Sequence, residues 1–257
     1  MSEAHPLDGT VALITGAAQG IGRATALRLA ADGATVAAND REPSPELDDV
    51  AKACGGVTAV ADISDPGAVE EMVARIENSI GSIGLLVANA AYMSMGPFLV
   101  QDEADWWRQI DTNLSGTFYL VQSALPGMRR LGGGRIVIIS SEWGVIGWSN
   151  ATAYSASKAG LISFGKTLGR ELAPENIITN VIAPGVIDTP QLENDARDAG
   201  VTEEEIKDRY AAETPLGHIG RPEDIAATVA FLARNGSAAL VGQVVQPNGG
   251  TTRGGAW

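Results

Sequence analysis

The chain has 257 residues, enough for one large α/β domain or two small ones, and its 45% hydrophobic residues can form a sizeable core. A formal net charge of −13 argues against nucleic acid and anionic membranes as partners. No apolar run approaches the length of a membrane span, and the first residues lack the basic and apolar regions of a secretory signal.

Short apolar runs alternate with amphipathic segments along the whole chain. This alternation is typical of a parallel sheet covered by helices on both faces. It predicts one α/β domain over residues 1–257, with a doubly wound sheet of the Rossmann fold. The predicted strands are Val11–Thr15, Thr35–Asn39, Val57–Ala61, Leu85–Asn89, Arg135–Ser140, Ile177–Ile182 and Gln243–Gln246.

A glycine-rich turn follows the first strand and opens a helix. Glycines let the backbone turn sharply and approach a pyrophosphate, which the N–H groups of the helix N-terminus then bind. The alternative is a glycine turn that binds nothing. The candidate cofactor contacts in this turn are Gly16, Gln19, Gly20, Ile21 and Gly22.

Asp40 ends the second strand, about 20 residues after the glycine turn. A carboxylate there can accept hydrogen bonds from both adenosine ribose hydroxyls and repels a 2′-phosphate, which favours NAD over NADP. Arg41 keeps NADP open, because a guanidinium beside the carboxylate could bind that phosphate. The alternative is that Asp40 is only a turn residue.

The helices show the expected period and end signals. Asp65 and Pro66 predict an N-cap and first helical position, before an apolar stripe from Val69 to Ile80. A second stripe predicts one long helix through Trp107–Leu125. The Trp106–Trp107 pair is interpreted as core or subunit packing.

Tyr154 and Lys158 lie four residues apart, and therefore on one face of a helix. An ammonium group near a phenol favours the phenolate and lowers its pKa, so Tyr154 can serve as a proton donor and acceptor. An ordinary surface helix pair is the alternative.

Residues 188–214 interrupt the alternating pattern. They are acidic, show little apolar periodicity, and contain a capping box at Thr202 and Glu205. We interpret this segment as a mobile substrate lid after the sixth strand.

Together these motifs resemble the short-chain dehydrogenase/reductase family, over about residues 7–250. The matching motifs are the glycine turn, Asn89-Ala90, Asn113, Ser140-Ser141, the Tyr154/Lys158 pair and Pro184-Gly185. The resemblance implies four catalytic residues. Ser141 would hydrogen-bond the substrate oxygen, and Tyr154 would exchange a proton with it. Lys158 would hold the nicotinamide ribose, and Asn113 would bind, through its carbonyl, a water that links Lys158 to solvent.

The resemblance also implies the remaining cofactor contacts. The segment after the third strand would meet the adenine, and the segments after the fourth and sixth strands would meet the nicotinamide half. These contacts are Asp62, Ile63, Asn89, Ala90, Ala91, Pro184, Gly185, Ile187 and Thr189, with Tyr154 and Lys158. Two departures from the family pattern are Ala91, where glycine is usual, and Asn248, where aspartate is usual.

The sequence thus predicts an oxidoreductase that interconverts a secondary alcohol and a ketone with NAD, or NADP. Large apolar residues flank the expected nicotinamide position and favour an alicyclic, aromatic or terpenoid substrate. These pocket residues are Tyr92, Met93, Trp143 and Trp148, with Met95 nearby. Glu142 could recognise a polar substituent, but an exposed turn acid is the favoured interpretation.

Two alternatives stay open. One is an NADPH-dependent 3-oxoacyl-(acyl-carrier-protein) reductase, in which Arg129 and Arg130 would contact the acidic carrier protein. The overall acidity of the chain and the carboxylate of Asp40 argue against this alternative. The other is a non-catalytic dinucleotide sensor or scaffold. The resemblance further implies a homotetramer.

Cysteine and histidine are too scarce for a predicted metal site. Cys54 is the only cysteine, which excludes an internal disulfide, and His5 and His218 lie far from the motifs. A reducing, cytoplasmic setting fits these features best.

Overall fold

The computed structural model describes residues 5–252, apart from the side chain of Asp198. Its centre is a seven-stranded, all-parallel sheet with the strand order β3-β2-β1-β4-β5-β6-β7. The strands are β1 (Val11–Thr15), β2 (Thr35–Asn39), β3 (Val57–Thr58), β4 (Ile83–Ala88), β5 (Gly134–Ile139), β6 (Ile177–Ile182) and β7 (Val244–Val245). The predicted doubly wound α/β fold is confirmed.

Ten α-helices connect and cover the strands within residues 5–252. They are α1 (Gly20–Ala31), α2 (Pro45–Cys54), α3 (Pro66–Ile80), α4 (Glu103–Ile110), α5 (Gly116–Arg130), α6 (Trp143–Ile146), α7 (Thr152–Leu172), α8 (Gln191–Ala199), α9 (Glu203–Glu213) and α10 (Pro222–Ala233). The α3 N-terminus follows the prediction, because the Asp65 carboxylate accepts hydrogen bonds from the N–H groups of Gly67 and Ala68.

Each face of the sheet carries its own apolar core. On one face α3, α5 and α7 pack over residues such as Leu86 and Ile138. On the other face α1, α2 and α10 pack over residues such as Ile14 and Val137. Alternate residues of a strand point to opposite faces, so the near-continuous apolar strands supply both cores. The two cores hold the carboxyl ends of the strands at fixed positions.

The structure corrects the predicted extent of two strands and one helix. The third and seventh strands are only two residues long, because pairing with the neighbouring strand stops there. The predicted long helix is interrupted: a π-helical segment, Asp111–Ser115, separates α4 from α5.

The segment 188–214 is more regular than its weak apolar periodicity suggested. It forms α8 and α9, and the predicted capping box of Thr202 and Glu205 is present. These two helices contribute buried side chains to a third apolar cluster, which also contains Trp143. The contributing residues are Leu192, Ala196, Ile206 and Tyr210. Tertiary packing therefore orders a segment whose own sequence pattern is weak.

Among the described residues, no helix has the combined length and apolar character needed to cross a membrane.

Candidate active site

A cleft of about 1030 Å³ opens at the carboxyl ends of the strands. Chain order in the sheet reverses between β1 and β4, and open α/β sheets bind ligands at such a point. Most predicted site residues share the cleft wall. Those lining it are Gly16, Gln19, Gly20, Ile21, Asp40, Arg41, Asp62, Ile63, Asn89, Ala90, Ala91, Tyr92, Met93, Ser141, Trp143, Tyr154, Lys158, Pro184, Gly185, Ile187 and Thr189.

The glycine turn is shaped for a group that approaches the backbone closely. Gly16 has a φ of +65°, which favours glycine, and a Cβ on Gly22 would lie 2.0 Å from the carbonyl oxygen of Gly16. Gln19, the N-cap residue of α1, makes no side-chain cap hydrogen bond. The N-terminal N–H groups of α1 therefore lack a side-chain cap and fit an anion such as a pyrophosphate.

We predict that Gly22→Ala displaces the glycine turn, because the new methyl meets backbone rather than a flexible side chain. Dinucleotide affinity should fall by about tenfold or more, and the melting temperature should fall as well. Titration by nicotinamide fluorescence and calorimetry measure the two effects. Gly96→Ala is the matched control, because a Cβ there meets nothing within 4 Å. Equal affinity in both variants would contradict the prediction.

Asp40 is fixed at the end of β2 and points toward the glycine turn. Its Oδ2 accepts from the N–H of Ala18 at 3.2 Å, and its Oδ1 accepts from the N–H of Arg41 at 2.8 Å. The guanidinium of Arg41 turns to Glu42, with an N–O distance of 3.2 Å. This arrangement presents a carboxylate to the cleft, while the nearest guanidinium is paired with another acid.

Thr15 joins the glycine turn to the loop after β4, a role that sequence reasoning missed. Its Oγ1 accepts from the N–H groups of Asn89 and Ala90, both at 3.0 Å, and Asn89 Nδ2 donates to the Thr15 carbonyl at 2.8 Å. The two loops thus form one floor for a dinucleotide. Asp62 lies at the side of the cleft, where its Oδ1 accepts hydrogen bonds from the N–H and hydroxyl groups of Ser64.

Tyr154 and Ser141 lie together in the wall of the cleft. Tyr154 lies in the first turn of α7 and Ser141 follows β5, and both residues line the cleft. Desolvation raises the pKa of the phenol to about 12, although the Ser141 hydroxyl opposes the rise. In this state Tyr154 is a neutral phenol at physiological pH. That differs from the expected lowering by Lys158, because removal of water around the phenol dominates.

Lys158 is almost completely buried beneath Tyr154. Its Nζ donates to the carbonyl oxygen of Ile139 at 2.9 Å and lies 5.5 Å from the centre of the Tyr154 ring. Burial lowers the pKa of the ammonium group to about 7. Lys158 thus lies beside the Tyr154 ring and also lines the cleft.

Asn113 lies in the π-helical segment, buried behind the cleft rather than on its wall. Its Oδ1 accepts from the N–H of Tyr92 at 2.7 Å, while Nδ2 donates to the Tyr92 carbonyl and to Ser157 Oγ, both at 3.0 Å. Its own backbone carbonyl accepts from Thr117 Oγ1. Asn113 thereby ties the loop after β4 to Ser157 of α7, the residue before Lys158.

Aromatic side chains form the far wall. Trp143 is stacked on Trp148, with centroids 4.9 Å apart, and meets the Tyr154 ring edge-on at 5.9 Å. Tyr92 and Met93 also line the cleft, but Trp148 does not reach it and packs behind Trp143 toward Tyr210. The exposed indole of Trp107, interpreted from sequence as packing, lies on the cleft wall.

The sequence analysis misjudged one acidic residue near the site, Glu142, and missed another, Asp195. Glu142, expected to be an exposed turn acid, is buried, because the segment around Asn248 covers it. Asp195 of α8 lines the cleft and accepts from Gln191 Nε2 and the Tyr210 hydroxyl. No local pattern could reveal either contact, since each depends on residues distant in the chain.

Comparison with known proteins assigns the family. Residues 16–252 match a family model described as enoyl-(acyl carrier protein) reductase. The chain is 38% identical over 249 residues to 3-oxoacyl-[acyl-carrier-protein] reductase FabG of Thermotoga maritima, covering 95% of this chain and 98% of that protein. The chain belongs to the short-chain dehydrogenase/reductase family. The FabG proteins of Aquifex aeolicus and Escherichia coli are each 36% identical, over 95% of this chain and 98% and 97% of theirs.

These relatives correct the predicted substrate of this short-chain dehydrogenase/reductase. The prediction of an alicyclic, aromatic or terpenoid alcohol or ketone is wrong, because the relatives are named as 3-oxoacyl-[acyl-carrier-protein] reductases. The prediction failed because it interpreted large aromatic residues as the wall of a substrate pocket. Trp143 and Trp148 belong to the apolar cluster that packs α8 and α9, so folding of that segment explains their size.

Proposed function

We propose that the protein reduces the 3-oxo group of a 3-oxoacyl thioester to a hydroxyl group, with NADH as the preferred cofactor. The observation that carries the proposal is that Ser141 and Tyr154, the latter as a neutral phenol, line one cleft that fits a dinucleotide. The names of the relatives support the thioester substrate.

The chain's own residues supply the proton chemistry. Ser141 Oγ donates a hydrogen bond to the 3-oxo oxygen, which orients the carbonyl and stabilises its developing negative charge. Tyr154 donates its phenolic proton to the same oxygen, and a neutral phenol is the form required for reduction. The nicotinamide, when bound, supplies the hydride. Lys158 would hold the ribose of that cofactor and assist reprotonation of Tyr154.

Asp40 supports NADH within this proposal. Its carboxylate faces the glycine turn, where an adenosine ribose would lie, and would accept hydrogen bonds from two ribose hydroxyls. A 2′-phosphate there would meet a negative charge, and the Arg41 guanidinium that could compensate is paired with Glu42.

We predict that Asp40→Ala raises the ratio of kcat/KM for NADPH to kcat/KM for NADH by about tenfold or more, since about 1.4 kcal/mol corresponds to tenfold. Initial rates with each cofactor measure the ratio. Asp49→Ala, which removes an exposed carboxylate from α2, controls for the change in net charge. An unchanged ratio in Asp40→Ala would remove Asp40 from cofactor selection.

The carrier of the acyl group needs its own test. Arg129 and Arg130, considered from sequence as contacts for an acidic carrier, are paired with Glu175 and Glu77. They end α5 just before β5 begins, whereas the cleft lies at the carboxyl ends of the strands. Within one chain, these arginines are therefore remote from the cleft.

The test uses acetoacetyl thioesters of coenzyme A and of acyl carrier protein, each with NADH and NADPH. We expect oxidation of the reduced nicotinamide with at least one acetoacetyl thioester and no oxidation with crotonyl-coenzyme A. Ser141 and Tyr154 would hydrogen-bond and protonate a carbonyl oxygen, whereas crotonyl-coenzyme A would have to be reduced at its carbon–carbon double bond. Turnover of the crotonyl thioester alone would overturn the proposal in favour of enoyl reduction.

Residues 188–214 serve in this proposal as the substrate lid, since α8 contributes Leu192 and Asp195 to the cleft wall. The homotetramer and the cytoplasmic setting stay predictions.

A further inference from the structure

Asn39 is a buried polar residue at the end of β2, directly before Asp40. Only 1% of its surface is exposed. Its carboxamide Nδ2 donates to three backbone carbonyl oxygens, those of Ala59 at 2.7 Å, Ala61 at 3.1 Å and Asp40 at 3.2 Å. Its Oδ1 has no hydrogen-bond partner among the described residues, so the N–H groups alone hold the carboxamide. A buried polar side chain is expensive without such hydrogen bonds, and these bonds therefore account for its position in an otherwise apolar strand.

The Asn39 carboxamide continues the contact between β2 and the chain beyond β3. The ladder between the two strands is only two residue pairs long. After the ladder ends, the N–H of Ala61 still donates to the carbonyl oxygen of Asp40 at 3.1 Å. The carbonyl oxygens of Ala59 and Ala61 accept from the Asn39 side chain. Since a buried carbonyl group without a partner costs about as much as a lost hydrogen bond, the carboxamide fastens this part of the chain to β2.

The fastened chain leads directly into Asp62 and Ile63, the expected adenine contacts. On its other side it is packed against α5, because a Cβ on Gly116 would lie 2.9 Å from the carbonyl oxygen of Ile63. Asp40, the expected ribose contact, lies at the opposite end of the same hydrogen-bond group. Asn39 therefore joins the two parts of the cleft wall that would bind the ribose and the adenine of one adenosine.

We propose that Asn39 is a positioning residue for the adenosine half of the dinucleotide: its carboxamide sets the spacing between Asp40 and the Asp62–Ile63 segment. Asn39 lines the cleft, but its Nδ2 is directed to backbone carbonyl groups, so it acts through these neighbours rather than by binding the cofactor. A spacing that is fixed before the ligand arrives lowers the ordering cost of binding. This inference rests on the cofactor position in the proposed function.

The discriminating experiment compares two reduced nicotinamides, only one of which contains adenosine. NADH contains it, whereas reduced nicotinamide mononucleotide does not. Asn39→Ala should raise the Kd for NADH by about tenfold or more and leave the Kd for the mononucleotide within about twofold. Titration of the nicotinamide fluorescence measures both values. General damage to the fold raises both, so a parallel rise overturns the proposal, as does an unchanged Kd for NADH.

Asn180 offers a matched control elsewhere in the sheet. It is also buried in a strand, and its Nδ2 donates to the carbonyl oxygen of Leu240 at 2.6 Å, but it does not line the cleft. Asn180→Ala should lower the melting temperature, as Asn39→Ala does, because each leaves a backbone carbonyl group without its donor. The Kd for NADH should stay within about twofold in Asn180→Ala alone. An equal loss of NADH affinity in the two variants contradicts the proposal.

A second substitution serves if removal of the carboxamide prevents folding. Asn39→Thr keeps a β-branched side chain that suits a strand, and its single hydroxyl group can donate to only one carbonyl oxygen. The same selective rise in the Kd for NADH is expected, with a smaller size. Absence of any selective rise in this variant overturns the proposal.

A double-mutant cycle shows whether Asn39 acts through Asp40. If it does, Asn39→Ala has less effect in a chain that already lacks the Asp40 carboxylate. The combined fall in NADH affinity should then be smaller than the product of the two single falls, whereas independent effects multiply and would overturn the proposed connection.

These measurements need no thioester, and this separates the inference from the proposed reaction. A wild type that fails to bind NADH overturns the proposed function together with this inference. NADH binding by the wild type, without a selective loss in Asn39→Ala, overturns this inference alone.

Discussion

Tyr154→Phe should lower kcat for 3-oxoacyl reduction by about 10²- to 10⁴-fold, the range expected for loss of a positioned general acid. The phenylalanine ring keeps the edge-on contact with Trp143 but removes the proton that the substrate oxygen receives. The Kd for NADH should remain within about twofold, because the glycine turn and Asp40 are untouched. Single-turnover rates and fluorescence titration measure the two effects.

The pH dependence adds a check on the same residue. Because the pKa of Tyr154 is raised to about 12, the phenol stays protonated, and its ionisation should not slow reduction between pH ~6 and ~9. Tyr119→Phe, a partly buried tyrosine of α5 outside the cleft wall, is the matched control and should keep its activity. Near-normal turnover in Tyr154→Phe would exclude Tyr154 as the proton donor.

Lys158→Met should abolish most turnover and yet stabilise the fold at neutral pH. The buried ammonium group has its pKa lowered from 10.5 to about 7. Between these values the unfolded chain binds more protons than the folded chain, so wild-type stability rises with pH across this window. Methionine removes the charge, and the free energy of unfolding near pH ~6.5 should increase by a few kcal/mol. Loss of the hydrogen bond to Ile139 offsets part of this gain.

The decisive measurement for Lys158 is the melting temperature as a function of pH. The advantage of Lys158→Met over the wild type should be largest below pH ~7 and shrink toward pH ~10. About 1 kcal/mol corresponds to about 2–4 °C in a chain of this size, so calorimetry resolves the change. Lys166→Met, an exposed lysine on α7, should show no such trend. A difference that grows with pH would refute the buried charge.

The fold was predictable because its signals are local. Apolar strands such as Ile177–Ile182, the cap at Asp65 and the glycine turn each occupy a few consecutive residues. The short β3 and β7 were overestimated, since strand ends depend on pairing with neighbours. The helices of 188–214 were missed because their apolar partners, including Trp143, come from another part of the chain.

The site was predictable in its residues but less so in its energetics. Sequence spacing placed Tyr154 and Lys158 on one helix face, and both line the cleft. It could not show that desolvation outweighs the charge of Lys158 at the phenol, because burial is a property of the complete fold. The burial of Glu142 escaped prediction for the same reason: its cover comes from a segment more than 100 residues later.

The π-helical segment Asp111–Ser115 constrains how this chain can vary in length. A π-turn contains one residue more than an α-turn, so deletion of a single residue there would restore a regular helix. Each residue of an α-helix accounts for about 100° of rotation. The π-turn takes up its extra residue locally, so such a deletion would leave α4 and α5 close to their present relative orientation. A single-residue deletion in α4 after Trp107 would instead turn Trp107 by about 100° relative to α5 and carry it away from the cleft wall. We therefore expect the fold to tolerate the loss of one residue within the π-helical segment better than within α4 or α5.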